Sequence, residues 1–146
     1  MEHKEAGNYF RPKTLLILYD LLLTMEFTLA EAKEYAKKNN SREWVGAILR
    51  HTNNESFAKR AETKGILLGP VLKPIDKMIN NCGPDPGMKF PEKEELYKKR
   101  VAHIIKDMKK GWDMPPLIVW YLNHEYSLAD GSHRFAALKQ TGYTKY

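Results

Sequence analysis

One cysteine, Cys82, is all that 146 residues contain, so no disulfide can form within the chain and a reducing cytoplasm is the expected compartment. Beside Gly83 and Pro84 it reads as a small loop or buried residue rather than a nucleophile. Metal-ligand spacing is missing as well. The five histidines, His3, His51, His103, His124 and His133, lie far apart, with neither HxxxH nor CxxC, and no metal site is expected. Long apolar runs are lacking too. The longest, Thr14–Leu23, is broken by Tyr19 and Asp20 and falls short of the ~20 residues that cross a bilayer. Met25-Glu26-Phe27 follows it, where a secretion signal would have small residues for cleavage, so the run is expected to be a buried helix. Acidic residues are in deficit: 18 Asp+Glu against 24 Lys+Arg leave a net charge of +6. That balance favours anionic partners such as nucleotides, nucleic acid or acidic protein surfaces, and says nothing of the fold.

What the chain does have is a 42% apolar and 29% charged composition, enough to build one ordinary core. Residues 1–64 read as helices joined by short turns. Pro12 suits a first turn, with Leu15, Leu16, Leu18, Leu22 and Leu23 on the apolar side. Thr28-Leu29-Ala30-Glu31 is a capping box, opening a helix to about Lys38 with Leu29, Ala32, Tyr35 and Ala36 inward. Ser41 is expected to cap a third helix around Trp44, Val45 and Ile48. A fourth, over Glu55–Lys64, stops at Gly65.

After Gly65 the pattern changes. Ile66-Leu67-Leu68 and Val71-Leu72 are β-compatible, and Pro74 is expected to open a short helix through Ile79. Asn80–Pro91, with three Pro, two Gly and paired Asn, is expected to be a loop of functional length. Glu92–Lys110 predicts a long helix with Leu96, Val101, Ile104, Ile105 and Met108 as its apolar side. Pro115-Pro116 leads into a strand over Leu117–Leu122, Asn123-His124 makes a hairpin turn without the favoured Gly, and Tyr126–Ala129 returns. Ser132–Thr141 closes the pattern as a helix ended by Gly142. The expected fold class is α+β: a small mixed sheet with flanking helices over 65–146, preceded by a helical region over 1–64.

The chemistry concentrates in Asp130-Gly131-Ser132-His133-Arg134, between the last strand and the last helix. Free amides at a helix start attract anions. Gly131 allows close backbone approach, Ser132 adds a hydroxyl, His133 can donate or carry a proton, and Arg134 can fork a phosphate. A Ser-capped helix that happens to carry His and Arg is the plainer reading of the same five residues.

The stretch Met114-Pro115-Pro116-Leu117-Ile118-Val119, followed by Glu125-Tyr126-Ser127-Leu128-Ala129-Asp130-Gly131-Ser132-His133-Arg134-Phe135-Ala136-Ala137-Leu138 and Gly142, resembles the ParB/sulfiredoxin superfamily. Val71–Lys77 is similar to that group's opening strand and "I-D-K" segment, and Glu94–Gly111 to its long helix. The resemblance covers residues 66–146. It implies a ParB/sulfiredoxin-like fold that binds ATP or ADP, or CTP in the partition-protein branch, together with Mg²⁺. Gly131, Ser132, His133 and Arg134 would hold the phosphates, His133 and Asp130 would be catalytic, and Asp130 would serve as metal ligand or general base.

Sulfiredoxins carry Cys directly before the His-Arg pair, where this chain has Ser132. The partition branch carries Gly-Glu-Arg-Arg and a following helix-turn-helix, for which a chain ending at Tyr146 leaves no room. The Asp-Gly-His-His-Arg motif of free-serine kinases matches at four of five positions. The implied activity is therefore a phosphotransferase or nucleotide hydrolase acting on a small-molecule or protein hydroxyl. The alternative is a non-enzymatic DNA-binding or regulatory module. The acceptor's base is unassigned. Glu92, Glu94 and Glu95 are candidates, although acidic residues in a first turn ordinarily complement the helix dipole. Lys73, Lys89 and Lys93 are candidate extra charges. Members of that superfamily continue into a final strand; with this sequence stopping at Thr144-Lys145-Tyr146, either that strand is absent or the sequence is trimmed.

Overall fold

The computed structural model describes residues 24–146; the expected first helix, with Pro12 and the Leu15–Leu23 face, lies outside them. Three helices come first: α1 (Leu29–Lys37), α2 (Ser41–His51) and α3 (Glu55–Thr63). The capping box forms in part. Thr28 Oγ1 accepts from the Glu31 amide, but the Glu31 carboxylate accepts from the Glu26 amide and the Trp44 indole at 2.9 and 2.7 Å. The acid that opens α1 thereby fixes α2. Asn40, not Ser41, is the N-cap of α2, and Trp44 and Ile48 are buried as expected. Arg42 ties the far end of α3, donating to the Ala61 and Gly65 carbonyls. Arg50 clasps both oxygens of Glu62, which lowers that carboxyl's pKa.

Residues 66–72 form no strand, and Ile66, Leu68, Val71 and Leu72 stay exposed. The expected helix after Pro74 is one 3₁₀ turn, Ile75–Lys77, which runs into strand β1 (Met78–Ile79). The Asn80–Pro91 loop closes on itself. Its two ends, β2 (Cys82–Gly83) and β3 (Phe90–Pro91), pair in parallel. The long helix α4 is Glu94–Lys109, so Glu92 lies in extended chain ahead of it, its amide bonded to the Gly83 carbonyl. Val101, Ile104 and Met108 face the core, whereas Leu96 is half exposed.

Strands β4 (Ile118–Leu122) and β5 (Glu125–Asp130) make the expected hairpin. Both turn residues, Asn123 and His124, take positive φ (52° and 65°), the twist a two-residue hairpin needs. The sheet is mixed, in order β1-β5-β4, with β1 parallel and β4 antiparallel to β5. A bulge interrupts it: Val119 faces Leu128 and Ile118 faces Asp130, leaving Ala129 as the extra residue. Helix α5 (Ser132–Gln140) follows. After α5 no further strand forms among the described residues, but an isolated antiparallel bridge pairs Pro74 with Lys145. Lys73 and Tyr146 exchange both backbone hydrogen bonds at 3.0 Å, and Ile75 donates to Thr144.

The architecture is α+β, with three apolar clusters among the described residues. Ile75, Met114, Phe135 and Leu138 fill the one between the sheet, α4 and α5; burying a side chain such as Leu138 contributes ~1.5–3 kcal/mol. Trp44 and Ile48 belong to a second and Leu49 to a third, both in the helical part, and Ile118 packs against each from β4. Trp120, half-buried in the same strand, lies beneath the Arg60 guanidinium. Asn54 and Asp113 add polar ties, donating to Asp130 and accepting from the Ala30 amide.

Candidate functional site

Strand β5 delivers Asp130, the chain reverses at Gly131, and α5 begins. Gly131 is the N-cap, with φ +102°. A Cβ there would lie 2.8 Å from Leu117 Cδ2 and 3.0 Å from Arg134 Nη2, so glycine is required by the protein's own packing. Without a capping side chain, the first amides of α5 are served by none.

Successive residues on a helix turn by ~100°, and this separates the five motif residues into two groups. Arg134 turns inward. Its Nη1 donates to the Pro115 and Pro116 carbonyls at 2.8 and 2.9 Å, and its Nη2 to Asp130 Oδ2 at 2.6 Å. Asp130 Oδ1 accepts from Asn54 Nδ2 at 3.0 Å. Both partners are buried. Burial lowers the pKa of Arg134 while Asp130 opposes that shift, and the guanidinium stays a cation. Three of Arg134's five N–H donors, expected to fork a phosphate, thus meet the protein's own acceptors: two carbonyls ahead of β4 and the Asp130 carboxylate. Asp130, expected as metal ligand or general base, already accepts one hydrogen bond on each oxygen.

Ser132 and His133 turn the other way. Ser132 Oγ donates to the Cys82 carbonyl at 3.0 Å rather than capping the helix, and the Tyr97 side chain bonds both Ser132 and Asn80. Burial raises the Tyr97 phenol's pKa. His133 Nε2 meets Glu92 Oε2 at 2.7 Å, with the Tyr97 ring 5.2 Å from the imidazole. The other Glu92 oxygen accepts from Arg100 at 2.6 Å, and the Cys82 thiol points at Oε2 from 3.9 Å. A carboxylate on Nε2 calls for the proton there, and in the neutral imidazole the lone pair then falls to Nδ1.

His133 also borders a cleft of about 680 Å³ along α4, lined by Leu96, Lys99, Arg100, Ala102, His103, Ile104 and Lys106. Among the described residues no carboxylate lines it. Glu92 reaches His133 because it precedes α4; Glu94 does begin the helix and pairs with Lys98. Lys73 and Lys89 lie against the Tyr126 and Phe90 rings, and Lys93 is the N-cap of α4. The structure thus brings together Gly131, Ser132 and His133 with Glu92, Arg100, Tyr97 and Cys82. It draws Asp130 and Arg134 away.

Among the described residues no group of three His, Cys, Asp or Glu side chains forms a metal cage. No step below is routed through a metal ion. No helix of the described residues is long and apolar enough to cross a membrane. No family model, curated protein or solved structure matches the chain, so its fold class and the geometry of this site are what functional argument can rest on.

Proposed function

We propose that the chain binds the phosphates of a nucleotide at the start of α5 and transfers one phosphoryl group to a hydroxyl or to water, within a ParB/sulfiredoxin-like fold. The observation that carries this is the Glu92–His133 pair, 2.7 Å apart, beside the uncapped amides of α5 and a cleft bordered by cations. The Gly131 turn and the amides of Ser132 and His133 would receive the phosphate oxygens, as helix starts do. The cations of the cleft would balance charge that develops on transfer. Phosphoryl transfer needs positioning and charge neutralisation more than covalent help.

In the step itself the acceptor oxygen forms a bond to phosphorus while the bond to the leaving diphosphate or monophosphate breaks. The acceptor's proton passes to His133 Nδ1, and Glu92 stabilises the imidazolium that results. This is the division of labour of an imidazole base held by a carboxylate. Arg100 holds the second oxygen of Glu92 and so fixes the carboxylate.

Thermal melting with Mg²⁺ and each of ATP, ADP, CTP and GTP tests the reading, beside a His133→Ala variant. A nucleotide at 100 times its Kd adds ~2.7 kcal/mol to the folded state, a shift of several degrees for a chain this size. The expected result is protection by at least one nucleotide, with turnover lowered ~100-fold or more in His133→Ala. No shift with any of the four removes the reading. DNA affinity that falls steeply with salt, without nucleotide protection, replaces it with a DNA-binding or regulatory module.

A further inference from the structure

The cleft along α4 has a composition that phosphate binding at α5 does not use. Its wall runs from Leu96 to Lys106, ten residue steps, which at ~1.5 Å each make about 15 Å. Four or five residues of extended chain, at ~3.3 Å each, span that length. The aliphatic part is Leu96, Ala102 and Ile104, and the polar part is Lys99, Arg100, His103 and Lys106, with His133 at the border.

Arg100 is balanced by Glu92, and the His103 imidazole lies 3.3 Å from Asp107. Lys99 and Lys106 have no ion-pair partner among the described residues, and both are exposed. An occupant that fits is extended, carries at least two carboxylates spaced along it, and offers aliphatic carbon to Leu96 and Ile104. A polynucleotide fits less well. Single strands are held on aromatic stacking platforms, and among the described residues no Trp, Tyr or Phe lines the groove.

We infer that this groove docks an acidic protein segment and that the hydroxyl entering at His133 belongs to a Ser or Thr of that segment. The docking stands on the groove alone; the role of the hydroxyl rests on the phosphate-transfer reading above. The segment would lie along α4 with its carboxylates on Lys99 and Lys106, bringing its hydroxyl within reach of Nδ1. Long-range attraction to the two lysines makes the association salt-sensitive.

The test is fluorescence anisotropy of the full chain with three labelled probes. One is a peptide with a central Ser and two Glu on each side; the second has those Glu replaced by Gln; the third is a five-residue oligothymidylate. Each is repeated on the Lys99→Glu, Lys106→Glu double variant, whose melting temperature checks that it is folded. The expected result is at least tenfold tighter binding of the Glu peptide than of the Gln peptide, lost at least tenfold in the double variant. Equal affinity for the two peptides, unchanged binding in the double variant, or an oligonucleotide that binds more tightly than the Glu peptide overturns the docking.

Nucleotide protection is read on the same samples, which keeps the two failures apart. Protection without Glu-peptide preference removes the docking and leaves phosphate binding. Glu-peptide preference without protection leaves a docking surface and removes the hydroxyl's role.

Discussion

Two carboxylates meet basic side chains on neighbouring residues of one helix start, and the two pairs are built for opposite ends. Asp130–Arg134 spans four residues, with side chains 9% and 8% exposed; Glu92–His133 spans 41 residues, with side chains 13% and 25% exposed. The first is closed. Its charges meet one another, two proline carbonyls and Asn54, and the Tyr146 hydroxyl donates to the Met114 carbonyl directly upstream. The second borders a cleft and keeps one imidazole nitrogen in hand. The difference is that a charged residue in a phosphate-like motif can be scaffold while its neighbour in sequence is the chemically available group. Which is which depends on the direction the helix turns.

The sharpest way to break this contrast is Arg134→Ala. It strands Asp130 and two carbonyls in a dry site, and unfolding free energy from urea titration should fall by about 3–5 kcal/mol. Gly131→Ala comes next, at about 2 kcal/mol, because φ +102° is strained for alanine and the new Cβ meets Leu117 at 2.8 Å. The same titration reads it. Glu92→Gln should cost less than about 1 kcal/mol, since its partners are an exposed arginine and an imidazole at a cleft, while phosphoryl transfer falls far more than stability does.

A pH profile gives a separate test. Burial pushes the Tyr146 phenol up from 10.0 to about 12. The native state therefore holds this proton more tightly than the unfolded chain, so the contribution is intact below pH 10 and is lost as pH rises toward 12. Tyr146→Phe should flatten that segment of the stability curve.

Much of the fold was legible because its signals are local. The helices announced themselves by three- and four-residue spacing, and Asn123-His124 by adopting the positive φ that asparagine tolerates best outside glycine. The strands at 78–79, 82–83 and 90–91 were not legible, since two-residue ladders carry no periodicity. At the site, Gly131, Ser132 and His133 were found from the motif. The inward turn of Arg134 had one available clue, its i,i+4 spacing from Asp130, which suits an ion pair as well as an anion fork. Glu92 had none of comparable weight. It looked like a first-turn acid, and only the late start of α4 frees it to reach a residue 41 positions away.

The bulge at Ala129 has a consequence for how this chain tolerates change. Were the ladder regular, Ile118 would face Ala129, and Asp130 would lie one step past the row that it now shares with Ile118. One surplus residue thus sets the phase of everything downstream: the carboxylate that meets Asn54, the reversal at Gly131, and the direction in which α5 presents His133. Spelling at position 129 is therefore forgiving, while counting is not. Replacing Ala129 with another small residue preserves the phase, whereas deleting it would rotate the motif out of step with both of its carboxylates.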